Sequence, residues 1–285
     1  MKASKAAYQG PPWELIFWRR FTTDDMRPTH PRYRLRMLAT LDCIPFAGTE
    51  RFSALDVGCG IGLYAFELCR RWPGATVLGV DINPGQIEYA TTAARRLGFG
   101  QRLRFAVDDA ESLESVSGRF DVILAAEIIE HLDEPAALFR RLRQLSAPEA
   151  VIIVSVPTAS GLQGHVEKSY RQPLPTGGYR ESSSPVELDP ALPIFEMTHR
   201  HFTAMEIEAL VNQARLRVVR RIAIRFDWEE LAAVSRPLGR LWRRLQGGRF
   251  AGLVASRSVD RVLNRLSFGR FADSTVLVCR ATGHE

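Results

Sequence analysis

Residues 55–62, Leu-Asp-Val-Gly-Cys-Gly-Ile-Gly, run an apolar stretch into three glycines on alternate positions. The pattern predicts a buried strand that turns sharply into a helix. No Cβ at Gly58, Gly60 or Gly62 holds a ligand away from the main chain there. A chain organised around such a turn is an α/β chain whose ligand lies close to backbone.

The glycine spacing separates two kinds of nucleotide-like ligand. A dinucleotide fingerprint requires G-x-G-x-x-G, and its third glycine would fall on Leu63. Asp56, just upstream, suits a ligand bearing an ammonium or sulfonium group better than one bearing a pyrophosphate. S-adenosylmethionine has both cations and no phosphate. Further acids recur at the ends of later apolar runs. Thr76–Asp81 is a second predicted strand, with Asp81 placed to accept both hydroxyls of a ribose. Leu103–Val107 leads into Asp108, Asp109 and Ala110. Phe120–Ala125 leads into Ala126, Glu127, Ile128, Ile129, Glu130 and His131.

The strings LDVGCGIG, VLGVDIN, AVDDAESL and FDVILAAEIIEHL together resemble the class I S-adenosylmethionine-dependent methyltransferases, in particular the ubiquinone-biosynthesis O-methyltransferase branch. The likeness is close over residues 50–160 and continues more weakly through Thr198–Thr203, the helix Met205–Ala214 and the strand Leu216–Ile224. It implies a Rossmann-like seven-stranded sheet with helices on both faces, whose last strand, Ser274–Arg280, is antiparallel. It also implies a cofactor pocket lined by Asp56, Gly58, Gly60, Gly62, Asp81, Ile82, Asp109, Ala110, Ala126 and Glu127, with S-adenosylmethionine as cofactor.

A chain of 285 residues with 46% hydrophobic content can bury one substantial α/β core. The expected organisation is a helical N-terminal cap over 1–48 and a methyltransferase domain over 49–285. Insertions are expected at 157–198, a substrate lid, and at 227–271, a basic helical hairpin. The four cysteines, at 43, 59, 69 and 279, have no metal-ligand spacing and read as reduced core residues of a cytoplasmic protein. No export signal or run of about eighteen apolar residues is found.

Charge is unevenly placed. Residues 217–270 hold thirteen arginines against four acids, while the stretch between 37 and 216 is net acidic. Leu238, Leu241, Trp242 and Leu245 fall at helical spacing, as do Val259, Val262, Leu263 and Leu266. A solvated basic face on a packed hairpin accounts for this pattern. So does peripheral contact with an anionic membrane or a lipid-linked substrate through 236–270. Sparse aromatics disfavour single-stranded nucleic acid. The lid segment, rich in Pro, Gly and Ser, shows no obvious regular element and is too long for a plain connection. His165, Tyr170 and Tyr179 are its candidate substrate contacts.

In the chemistry implied by the resemblance, a good leaving group departs from a sulfonium, leaving the enzyme to position a nucleophile and handle a proton. A helix starting at the end of the fourth strand would project Glu127, Glu130 and His131 to one side. His131 is the leading base, with Glu130 and His199 beside it. The resemblance extends to relatives in which a Glu-x-x-Glu-His helix and a later histidine hold a metal. On that reading Glu127, Glu130, His131 and His199 would take Mg or Mn. At the amino terminus Pro11–Trp18 reads as a short cap, and the resemblance implies a basic residue before the first strand that meets the cofactor carboxylate, with Arg34 and Arg36 as candidates. The acceptor expected is a small molecule, most readily a hydroxyl. N- or C-methylation, RNA 2′-O-methylation and a non-catalytic binding protein are the alternatives.

Overall fold

The structure is a computed structural model that describes residues 15, 18–19, 22–158, 165–174, 179–226, 262 and 272–282. The expected hairpin over 227–271 and the Pro11–Pro12 start of the cap lie outside the described residues, apart from Val262.

Seven strands form the main sheet: β1 (Ser53–Val57), β2 (Thr76–Asp81), β3 (Leu103–Val107), β4 (Phe120–Ala126), β5 (Ser146–Pro157), and the last two, Leu216–Phe226 and Ala272–Ala281. Their order is β3-β2-β1-β4-β5, then the last strand, then Leu216–Phe226 at the edge. Six strands are parallel. Ala272–Ala281 runs antiparallel to both neighbours, with Thr275 opposite Val156 and Ala223. The apolar runs Val122–Ala126 and Val151–Val154 are buried throughout, as expected of parallel strands covered on both faces.

Alternate residues of each strand feed two cores. Ala54, Val77, Val122, Leu124 and Ile153 pack with α1 (Pro31–Leu41), α2 (Leu63–Arg71) and α3 (Pro84–Arg96), through Met37, Phe66, Leu68 and Ala93. Leu55, Val57, Ile123, Ile152 and Val154 pack with α4 (Pro135–Gln144) and α5 (Ala204–Gln213), through Phe139, Leu142, Ile207 and Val211. Phe66 and Phe139 are fully buried on opposite faces, and truncating either to Ala costs about 3–5 kcal/mol. The helix starts follow from sequence. Asn83 caps α3 by accepting from the Gly85 and Gln86 N–H groups, with Pro84 at the first helical position, and Thr203 with Glu206 forms a capping box on α5. No helix among the described residues is long and apolar enough to cross a membrane.

The expectation of a lid without regular elements is corrected. A second, antiparallel sheet of three strands is built from β6 (His165–Pro173), β7 (Tyr179–Ser182) and β8 (Phe195–His201), in the order β7-β6-β8. Proline and serine content hid it, because Pro173 closes a strand while Ser184 caps the short turn Pro185–Glu187. A bridge between Thr158 and Phe202 ties the exit from β5 to the return from β8. The small sheet therefore hangs from the carboxyl end of β5, beside the point where strand order reverses between β1 and β4. With the lid strands counted, Leu216–Phe226 is β9 and Ala272–Ala281 is β10.

Candidate active site

The turn after β1 is shaped by three left-handed glycines, with φ of 69° at Gly58, 55° at Gly60 and 86° at Gly62. A Cβ at Gly58 would lie 2.7 Å from the Ile128 side chain, and one at Gly62 would lie 2.6 Å from Phe105. These glycines therefore serve close packing of protein against the turn as much as ligand approach. Cys59 N–H bonds to the Val80 carbonyl, and Gly60 N–H bonds to Asp81 Oδ2 at 2.8 Å. The turn is thereby fastened to the end of β2.

Asp81 also accepts from Asn83 N–H through Oδ1 at 2.9 Å. Burial pushes its carboxyl above the usual carboxylate range, against the backbone hydrogen bonds that favour the anion. Ile82 follows it, half-buried. Asp56 sits beneath the turn with about 1% of its surface exposed, and the Ala65 N–H bonds to its carboxyl. Burial lifts the Asp56 carboxyl to about 7. Asp56, expected to line the cofactor pocket, is thus fully buried and ties β1 to the start of α2. Asp109 accepts from Glu111 N–H, Ala110 is buried beside it, and Ala126 is buried at the end of β4. Asp108 accepts from the amide and hydroxyl of Ser115, closing the loop after β3.

The helical spacing expected for Glu127, Glu130 and His131 is also corrected. Glu127 has a left-handed φ of 53°, and only a 3-10 turn, Ile129–His131, forms before α4 begins at Pro135. The three side chains take separate directions. Glu127 Oε2 meets Arg36 Nη1 at 2.5 Å while Oε1 accepts from Ser155 Oγ at 3.0 Å. Arg36 reaches it from α1, with its guanidinium 5.7 Å from the Tyr33 ring centre. Glu130 turns inward, its side chain 4% exposed, and Oε2 makes no hydrogen bond among the described residues. Burial first, and Glu127 second, push its carboxyl well up.

His131 turns toward the lid and stacks edge-on against His199 of β8, with ring centres 4.9 Å apart. Burial, then His199 and Arg171, push the His131 imidazole down from its ordinary value, although 36% of the side chain remains exposed. Burial and Arg171 lower His199 in the same way. Both rings are therefore neutral at neutral pH, and a neutral imidazole can accept a proton.

The four residues expected to hold Mg or Mn do not converge. Among the described residues no group of three or more His, Cys, Asp or Glu is arranged to bind a metal ion, because Glu127 is committed to Arg36 and Ser155 while Glu130 turns into the core. The donor set does not fit a divalent cation, and no chemistry is derived through one. The Arg36–Glu127–Ser155 link, the three-stranded lid, and Ser169 and Arg171 within it were not read from sequence. The apolar–polar alternation Phe195-Glu196-Met197-Thr198 was the available signal for β8.

A parallel sheet ordered 3-2-1-4-5 with an antiparallel strand inserted before the sixth, and a glycine turn fastened to an acid at the end of β2, together define a class I S-adenosylmethionine-dependent methyltransferase fold. Residues 49–179 match the family described as a methyltransferase domain. The ubiquinone biosynthesis O-methyltransferase of Azorhizobium caulinodans is 39% identical over 101 residues, covering 35% of this chain and 38% of that protein. Norajmaline N-methyltransferase of Rauvolfia serpentina is 30% identical over 100 residues, covering 35% and 34%. The chain thus spans well under half the length of these curated relatives. Among solved structures, the CcbJ methyltransferase from Streptomyces caelestis aligns over 99% of this chain and 100% of its own, with a TM-score of 0.59 and 17% identity. The [4+2]-cyclase SpnF aligns over 87% and 80%, with a TM-score of 0.54 and 18% identity. At such identities the structures share a fold, and a fold alone does not choose a reaction.

Proposed function

We propose that this chain transfers a methyl group from S-adenosylmethionine to a small-molecule acceptor, with a hydroxyl as the favoured nucleophile. The observation that carries the reading is Asp81. Its carboxyl holds the Gly60, Asn83 and Ile82 N–H groups, and a carboxylate offers about four acceptor sites, so acceptor capacity remains for a ribose hydroxyl. Gly60 brings backbone beside that carboxyl without a side chain, and Ala110 and Ala126 are the small residues where an adenine edge would lie. Nothing here requires a phosphate site.

S-adenosylmethionine, when bound, supplies an electrophilic methyl on a sulfonium that leaves as a neutral thioether. The protein's part is alignment and proton handling. His131, at the carboxyl end of β4 and neutral at neutral pH, is the group we assign to take the acceptor proton as the oxygen–carbon bond forms and the sulfur–carbon bond breaks. His199 packs edge-on against its ring and sets its orientation. Oxygen is favoured because curated relatives at 34–39% identity are ubiquinone O-methyltransferases. Nitrogen is the second reading, and the norajmaline N-methyltransferase likeness supports it. Under either reading Arg36, held by Glu127, closes α1 over the end of β4.

Calorimetric titration with S-adenosylhomocysteine tests the assignment. Binding is expected in the unaltered chain, with affinity reduced at least tenfold in Asp81→Ala. Equal affinities in the two proteins refute the cofactor site.

A further inference from the structure

The amino ends of the parallel strands β1, β2 and β3 lie at the far end of the sheet from the glycine turn and the lid. Ser53 pairs with Thr76, and Val77 pairs with Leu103. That register sets Arg51, just before β1, and Arg102, just before β3, on either side of Thr76, the first residue of β2. Two strand spacings separate the arginine backbones, roughly 10 Å, a gap that two long side chains can close onto one small group. A cavity of about 440 Å³ opens there, lined by Arg51, Phe52, Pro73, Gly74, Thr76 and Arg102.

Its walls divide by chemistry. Phe52 is held firmly, stacked on Phe46 with ring centres 4.6 Å apart and set edge-on to Trp72 at 5.7 Å. Pro73 is exposed beside it. A Cβ on Gly74 would lie 2.7 Å from the Glu50 carbonyl oxygen and 3.2 Å from Arg51 Cγ, so the glycine lets the Arg51 stem lie close to this turn. Arg102 is half-buried and fixed, because Nη1 donates to the carbonyls of Ala75 at 3.3 Å and Cys69 at 3.5 Å. Its remaining donors, the exposed Arg51 guanidinium and the Thr76 hydroxyl make no hydrogen bond or ion pair among the described residues. The lining contains no acid. Glu50, the neighbour of Arg51, turns its carboxylate to the Ala47 N–H.

We propose that this cavity is a second ligand site and that it takes a small organic phosphate: Arg51 and Arg102 hold the phosphoryl group from two sides, Thr76 Oγ donates to it, and Phe52 with Pro73 packs against the organic body. A phosphomonoester carries a charge of about −1.5 to −2 at neutral pH, which two guanidiniums match with charge-assisted hydrogen bonds. The fixing of Arg102 by backbone carbonyls orders one of those groups before any ligand arrives. The cavity volume falls within the range of about 300–1,000 Å³ typical of small-molecule sites, so room remains for a body beyond the phosphate. Neither the glycine turn nor the lid uses these residues, and the ligand therefore binds without displacing the methyl donor.

Phenyl phosphate, inorganic phosphate and phenol are the probes, titrated calorimetrically into the full chain at low salt. Phenyl phosphate is expected to bind at least tenfold tighter than phenol and severalfold tighter than inorganic phosphate, with the same affinity in saturating S-adenosylhomocysteine. Arg51→Gln and Arg102→Gln are each expected to weaken phenyl phosphate at least tenfold. Arg217→Gln removes the same charge from an exposed position on β9 and is expected to leave binding unchanged. Urea midpoints report folding of each variant; if Arg102→Gln lowers its midpoint, the exposed Arg51→Gln decides. Absence of phenyl phosphate binding, equal binding of phenol, or inorganic phosphate bound as tightly overturns the proposal. Competition with S-adenosylhomocysteine overturns it by placing the phosphate in the cofactor pocket. An equal loss in Arg217→Gln does so by revealing only diffuse attraction to a basic chain. Failure of S-adenosylhomocysteine to bind counts against the methyltransferase reading alone, because the arginine variants still decide the phosphate site.

Discussion

The glycine turn after β1 and the inner face of the lid sheet lie at the same end of the main sheet, yet they are specified in different ways. The turn depends on absent side chains and backbone hydrogen bonds: three left-handed glycines, and Gly60 N–H on Asp81. The lid face depends on register, since its members belong to strands whose only common feature is pairing. A one-residue slip in β6 would send Ser169 and Arg171 to the other face. Conformational requirements make the first region intolerant of side chains at its glycines, whereas backbone pairing lets the second keep its architecture when exposed side chains are changed. That is the arrangement expected where one cofactor serves many acceptors.

The largest effect that sharpens this contrast is expected at Gly58. A methyl there meets Ile128 at 2.7 Å with φ at 69°. The left-handed conformation alone costs roughly 1–2 kcal/mol for an L-residue, and overpacking adds about 1–3 kcal/mol. Gly58→Ala is expected to lower the unfolding midpoint in urea and to abolish S-adenosylhomocysteine binding in calorimetry. Substitution at exposed Thr198 on the outer face of β8 should do neither. Comparable losses at both positions would erase the distinction.

What was legible in the sequence follows the same division. The glycine turn, Asp81 and the order of apolar strands announce themselves because each is local, and parallel strands buried on both faces read as continuous apolar runs. The last strand was placed within two residues of its ends, as Ser274–Arg280 against Ala272–Ala281. The lid was not legible, because β6 and β8 carry charged and polar residues on both faces and acquire meaning only when Glu167 is set opposite His199. Spacing misled at Glu127, Glu130 and His131 because helical geometry was assumed where a left-handed Glu127 interrupts it. The partner of the Glu127 carboxylate, Arg36, lies 91 residues away.

A smaller effect is expected where the two regions meet. Arg36 and Glu127 form a pair whose side chains are 21% and 14% exposed, so removing one partner leaves a charge with little water around it. Arg36→Met or Glu127→Gln alone is expected to cost about 2 kcal/mol, below the 3–5 kcal/mol range of fully buried pairs because some solvent reaches both groups. The double variant is expected to cost less than the two singles added. Additive losses in urea denaturation would show that the pair does not couple α1 to the end of β4.

The smallest effect is the most specific to the lid. Folding lowers the His131 imidazole below its unfolded value, through burial first and then His199 and Arg171; Glu130 Oε1, 3.9 Å away, is the acid facing it. Between the lowered folded value and the unfolded value near 6.5, the unfolded chain binds more protons than the folded one. Stability is therefore expected to fall as pH drops through that window. With 36% of the side chain exposed, solvent screening limits the loss to about 1 kcal/mol. In His131→Gln that part of the pH dependence is expected to disappear, seen as a shallower fall in urea midpoint between pH 7 and pH 5. Under the proposal that the neutral His131 ring takes the acceptor proton, the acid limb of turnover is expected below the ordinary imidazole range. In Arg171→Gln, which removes one of the charges opposing protonation, the limb should move upward. An acid limb unmoved by Arg171→Gln would uncouple the lid from the base, leaving the two faces of the site as neighbours that do not act on each other.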